Sequence, residues 1–299
     1  ASVVRIERQV PADGAFIDVP GARVHYVDRG AGRPIVLLHG IGAQLRNFAY
    51  GVADDLASEY RVILMDRPGS GYSMPTGDQP GILGQAAVVA AFIDKLGLDR
   101  PLLVGHSLGG AIALGVATHH PDAIGGLALL APLTQPAGAM PAPMAGAIRH
   151  GGFGREAFAN LIGTPLAQAT FGWRWGKIFA PESVPADFAT RGGAALGNRP
   201  MSVDAAMLEM ASVDDDMAAV AARYGSLSLP VAMLYGRDDQ VVDPAVDGEH
   251  ARLAIVGASL EMTEGGHMLP VTHPQVTGAF IRASVSRMCR GLPDTVYEQ

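Results

Sequence analysis

Five consecutive residues, Gly105-His106-Ser107-Leu108-Gly109, set a serine between glycines, after the apolar run Pro101–Val104 and before a helical pattern from Leu108 to His119. A serine hydroxyl attacks only when a base takes its proton and the backbone presents it outward. The pattern G-x-S-x-G at a strand-to-helix turn meets the second need. The sharp turn forces the serine into strained angles, and its neighbours two residues away must be small to pass each other. The pattern alone recurs by chance, so its place between a buried strand and a helix gives it weight. Of nine histidines, His267 fits the base best. It stands in Glu264-Gly265-Gly266-His267-Met268, a loop after the last expected strand and before the last expected helix. His273 precedes Pro274 and is expected to open that helix, and His119 and His120 end another, where a cation suits the C-terminus. His106, next to the serine, points the wrong way to take its proton. An acid must orient the base, and Tyr235-Gly236-Arg237-Asp238-Asp239-Gln240 offers Asp238 or Asp239, with Asp243 behind them.

These residues need a scaffold that brings distant loops to one edge. Short apolar runs alternate with longer helical patterns, as in a mostly parallel sheet covered by helices on both faces. Strands are expected at 15–19 and 23–28 around a Pro20-Gly21 turn, then at 34–38, 61–65, 101–104, 124–130, 230–235 and 259–262. Helices are expected at 81–96, 108–119 and 275–288. From about Leu133 to Tyr224 the strand rhythm stops, and the text becomes Gly, Ala, Pro, Met and aromatics in short helical pieces. Such a length is too long for a connection and reads as an inserted unit.

The elbow around Ser107 resembles that of the α/β-hydrolase superfamily, whose serine-nucleophile, esterase- and lipase-like branch carries a helical cap. The resemblance spans about 33–130 and 230–288. It implies an eight-stranded-type, mostly parallel sheet flanked by helices, with residues 1–132 and 226–299 as the catalytic domain and 133–225 as cap. It orders nucleophile, acid and histidine along the chain, and its acid stands three residues after a glycine, which selects Asp239. His39-Gly40-Ile41-Gly42 resembles the family's oxyanion loop, implying that the backbone N–H groups of Ile41 and Leu108 face the developing oxyanion. Asp66-Arg67-Pro68-Gly69-Ser70-Gly71-Tyr72-Ser73 resembles the turn after the next strand, whose residues brace the sheet.

With serine at the elbow the expected chemistry is acyl transfer, as ester or lactone hydrolysis. Dehalogenases and epoxide hydrolases of this superfamily need an aspartate there. Alternatives are a carbon–carbon bond hydrolase of aromatic ring cleavage, a cofactor-free haloperoxidase, and a non-enzymatic ligand receptor. His106 and Met268 stand where the carbon–carbon hydrolases commonly carry Asn and Trp. An apolar acyl or alkyl group is the expected substrate feature. Its candidate contacts are Trp173, Trp175 and Met268, with Phe153, Phe158, Phe171, Phe179, Met140, Met144, Met207 and Met210 as further lining.

Composition bounds the rest. The chain of 299 residues is 48% apolar, with net charge -7 and no basic cluster, which argues against nucleic acid or an anionic membrane as partner. The single cysteine, Cys289, excludes an internal disulfide and a multi-thiolate zinc site. No metal or organic cofactor is implied. No apolar run reaches the roughly 18 residues of a membrane span, residues 1–11 do not read as a signal peptide, and a cytoplasmic location is expected.

Overall fold

Unbroken apolar runs pair side by side because both faces of the sheet are covered. The computed structural model describes residues 3–138 and 140–290. Its strands are β1 (Ala15–Val19), β2 (Ala22–Arg29), β3 (Pro34–Leu38), β4 (Arg61–Met65), β5 (Met74–Pro75), β6 (Leu102–His106), β7 (Gly126–Leu130), β8 (Val231–Gly236) and β9 (Ser259–Thr263). They form one sheet in the order β1-β2-β4-β3-β6-β7-β8-β9, with β5 paired to β2. β1 and β2 are an antiparallel hairpin across Pro20-Gly21, and β2 runs antiparallel to β4; from β4 to β9 every pairing is parallel. The mostly parallel sheet expected from the sequence is therefore present.

Two differences at strand level have physical causes. β6 runs on through Gly105 and His106, because they pair with Leu38 on one side and with Leu129 and Leu130 on the other. β5 is only two residues long and carries no apolar run that would announce it. The chain also opens with a helix, Val3–Gln9, whose Ile6 is buried with Val10 against Leu196.

Helices cover both faces. Ile82–Lys95 and Leu108–His119 pack on one side, where Val89, Phe92, Ile112 and Val116 join Val36, Ile63 and Leu103 in one core. On the other side Phe48, Leu56, Phe280, Ile281 and Val285 bury Ile35, Leu37, Leu64 and Val104. The segment between β7 and β8 is helical as expected and includes Ala142–Arg149, Gly152–Phe158, Phe171–Phe179 and the long helix Pro200–Ala221. That long helix lies against Ile82–Lys95 and Leu108–His119 and ties the insertion to the sheet's helical layer. No helix among the described residues is long and apolar enough to cross a membrane.

Candidate active site

In a parallel sheet the loops leaving the C-terminal ends of neighbouring strands share one edge, and ligands of such folds bind there. Four loops meet at this edge, after β3, β6, β8 and β9. Ser107 follows β6 directly at φ 56° and ψ −123°, a left-handed conformation that costs a non-glycine residue free energy. The surroundings hold it there: the Ser107 amide donates to Leu130 O at 3.0 Å, and Ser107 O accepts from Gly110 N at 2.8 Å and Leu133 N at 3.2 Å. A Cβ on Gly109 would overlap the carbonyl oxygens of Leu38 and His39, so the elbow helix can approach β3 only with glycine at that position. Leu108 is the first residue of that helix, and its amide has no acceptor within the helix.

Asp239 stands in the turn after β8, its side chain fully buried while Asp238 beside it is exposed. The Asp239 Oδ1 accepts from the amides of Val241 at 2.8 Å and Val242 at 3.0 Å, and Oδ2 meets His267 Nδ1 at 2.8 Å. Burial alone would raise this carboxyl, but the His267 bond and charge and the two amides more than offset it and hold it below its ordinary value. His267, also buried, therefore carries its proton on Nδ1 toward Asp239 and leaves Nε2 as acceptor. His106 donates from Nε2 to His267 O at 2.9 Å, and burial, with His267 adjacent, lowers its pKa to about 3. It is a neutral brace for the histidine loop. His273 stands at the start of the final helix Pro274–Cys289, as its position before Pro274 implies, and makes no side-chain capping bond.

Ser107, His267, Ile41 and Met268 line one small cavity of about 40 Å³, together with Ala43, Trp175, Ile178 and Val241. Gly40 borders it so closely that a Cβ there would lie 3.1 Å from that of Ser107. Behind the cavity Trp175 packs edge-on against Phe188 at 4.9 Å in an aromatic cluster that includes Phe171 and Phe179. Trp173 does not join them: it is 68% exposed. Phe153, Phe158 and Met144 are exposed as well, and neither they nor Met140, Met207 and Met210 border the cavity. Helical spacing explains the split, since residues 171, 175 and 179 share a face while 173 sits about 200° from its neighbour at 175.

Residues 33–274 match the family described as the alpha/beta hydrolase fold. The chain belongs to that family. A 2-hydroxy-6-oxononadienedioate/2-hydroxy-6-oxononatrienedioate hydrolase of Paraburkholderia phymatum is 42% identical over 115 residues, 36% of this chain and 39% of that one. Haloalkane dehalogenase 2 of Mycobacterium tuberculosis is 36% identical over 121 residues, 40% of this chain and 42% of that one. This chain thus spans only about two fifths of the length of these curated relatives. Among solved structures, an esterase from Thermogutta terrifontis superposes with a TM-score of 0.69 over 92% of this chain and 99% of its own, at 22% identity. That likeness extends to the fold.

Within this α/β-hydrolase scaffold two cavity-lining features, and one residue buried behind the cavity, were not expected as site residues from the sequence. Asn47, 1% exposed, lines the cavity and donates from Nδ2 to Gly192 O at 2.9 Å. Val241 and Ile178 supply apolar wall from the acid turn and the insertion. Arg67, fully buried, reaches His39 O and Gly40 O in the loop after β3 from the turn after β4. Its one local signal was a place in the bracing turn. No group of three or more His, Cys, Asp or Glu among the described residues could hold a metal ion.

Proposed function

We propose that the chain is a serine hydrolase that cleaves a carboxylic ester or lactone of a small, fairly apolar molecule. Ser107 Oγ attacks the carbonyl carbon as His267 Nε2 takes its proton, while Asp239 holds the imidazole and stabilises the imidazolium. The negative charge on the former carbonyl oxygen is met by the Ile41 and Leu108 amides. Collapse expels the alkoxide, which takes the proton from His267 and leaves an acyl ester on Ser107. Water attacks that ester with His267 again as base, releasing the acid and restoring the serine. The helical insertion acts as cap and, with Trp175 and Ile178, supplies an apolar wall.

The observation that carries this reading is the 2.8 Å bond between His267 Nδ1 and Asp239 Oδ2, with His267 and the strained Ser107 bordering the same cavity. Serine rather than aspartate at the elbow argues against dehalogenase chemistry despite the dehalogenase relative. The dienedioate hydrolase relative keeps carbon–carbon cleavage as a second reading. The test is a fluorophosphonate followed by peptide mass spectrometry, beside turnover of p-nitrophenyl esters, a lactone and a ring-cleavage dienoate. Labelling at Ser107 with ester or lactone turnover is expected. Turnover of the dienoate alone would transfer the assignment to the second reading, and labelling elsewhere would end it.

A further inference from the structure

A buried cation close to the loop after β3 needs both a counter-charge and a reason to be there. Arg67 has no exposed side-chain surface, and each of its five N–H groups has a partner. Nε donates to His39 O at 2.8 Å and Nη2 to Gly40 O at 2.8 Å. Nη1 donates to Gln85 Oε1 at 2.7 Å and closely to Glu209 Oε1, and Nη2 reaches Glu209 Oε2 at 3.5 Å. Glu209, 1% exposed, belongs to the long helix Pro200–Ala221 of the insertion and also accepts from Gln85 Nε2 at 2.7 Å. His39 completes the set: its Nε2 accepts from the Arg67 amide at 3.0 Å, and its Nδ1 donates to Gly40 O at 2.8 Å.

The pinned atom matters because of peptide geometry. Gly40 C=O and Ile41 N–H belong to one planar trans unit, so holding the carbonyl fixes the opposite direction of the N–H. A charged donor on that carbonyl also polarises the unit and strengthens its N–H as a donor. We propose that Glu209, acting through Arg67, positions the Gly40–Ile41 peptide, so that the cap helix helps to set the oxyanion hole. The inference rests on the serine-hydrolase reading above. Both residues are positioning residues: neither borders the cavity that Ser107 lines. Without Glu209 the guanidinium is a buried charge lacking its counter-ion, and its grip on the two loop carbonyls relaxes. Without Arg67 the Gly40 carbonyl keeps only the His39 bond.

The decisive variant is the double replacement Arg67→Met with Glu209→Met, which removes the pair while leaving no stranded charge. Exchanging a buried ion pair for apolar side chains of similar volume is often neutral for stability. Removing an oxyanion donor outright costs on the order of 10² to 10³ in kcat, so a misplaced one is expected to cost roughly 10- to 100-fold. KM should stay within about threefold, because the ester carbonyl of the ground state gains little from the hole. A boronic acid that mimics the tetrahedral state should lose affinity in parallel with kcat. Glu209→Gln, which keeps the shape, is the second variant, expected to show the same signature more weakly, and Glu209→Asp should restore part of it. A purely structural tie would move the melting temperature and leave kcat and boronate affinity of the folded enzyme unchanged in both variants. That result overturns the inference alone. A wild type that neither turns over esters nor is labelled at Ser107 overturns the serine reading and this inference with it.

Discussion

The two neighbouring aspartates after β8 have different environments, and that difference has consequences for rate and for pH. Asp239 is buried on His267 while Asp238 faces solvent. Asp239→Asn is expected to lower kcat by roughly 10³- to 10⁴-fold, since an amide favours the wrong histidine tautomer. Asp238→Asn should leave turnover within about twofold, as for a surface change that removes no partner. Steady-state kinetics of the two variants decide, and the reverse ranking would move the role to Asp238. A pH effect belongs to the same carboxylate. Its folded-state pKa lies below the ordinary 3.8, so the stability it contributes is present above that value and lost as pH falls through the folded value. Urea melts of wild type and Asp239→Asn should therefore differ less at acid pH than at neutral pH. The three residues expected to act together, Ser107, Asp239 and His267, could be picked out because each follows a strand within a few residues and is marked by a nearby glycine. Arg67 and Glu209 could not: 142 positions separate them, and nothing local in either neighbourhood names the other.

At the scale of elements, the helix Phe171–Phe179 shows how one turn decides which aromatic borders the cavity. Trp175 borders the cavity and Trp173 points to solvent, so the two tryptophans expected alike from the sequence should behave differently. Composition announces aromatics in the insertion, whereas the face they present depends on where a short helix begins, and Thr170 before that start makes no side-chain capping bond. Trp173→Ala is expected to change stability by no more than about 0.5 kcal/mol and to leave the ester chain-length profile flat. Trp175→Leu should enlarge a cavity of about 40 Å³, which has room for only a few atoms. The wild type should accordingly prefer acetyl and propionyl esters, and Trp175→Leu should shift the ratio toward longer acyl groups. Each accommodated methylene is worth about 0.8 kcal/mol, or roughly fourfold in kcat/KM. An unchanged profile in Trp175→Leu would assign chain-length choice to Ile41 and Met268 instead. The sheet order itself was not legible, because strand pairing follows crossover handedness and side-chain packing between distant segments.

Across the whole molecule a second buried His–Asp pair, remote in role from the first, links the N-terminal segment to the sheet. His25 on β2 is 2% exposed. Its Nδ1 lies 2.7 Å from Asp66 Oδ2 and its Nε2 bonds closely to Asp13 O, while Phe16 and Tyr72 pack on the ring. Asp66 in turn accepts from the amides of Leu45 and Tyr72, so this carboxylate anchors the loop leading to the active-site edge as well as the turn after β4. Burial would lower the imidazole, but the hydrogen bond and charge of Asp66, then the carbonyl and charge of Asp13, more than offset it and raise the pKa above 6.5. A raised folded-state value fixes the sign: the stability from this cation is fully present below 6.5 and is lost as pH rises through the folded value. His25→Asn removes the titrating group. The difference in urea midpoint between wild type and His25→Asn should shrink as pH rises from about 6 to about 9, whereas the Asp239 difference shrinks in the opposite, acid direction. A His25 difference that stays constant over that range would mean that the imidazole titrates alike in the folded and unfolded chain, and that the pair contributes no charge-dependent stability.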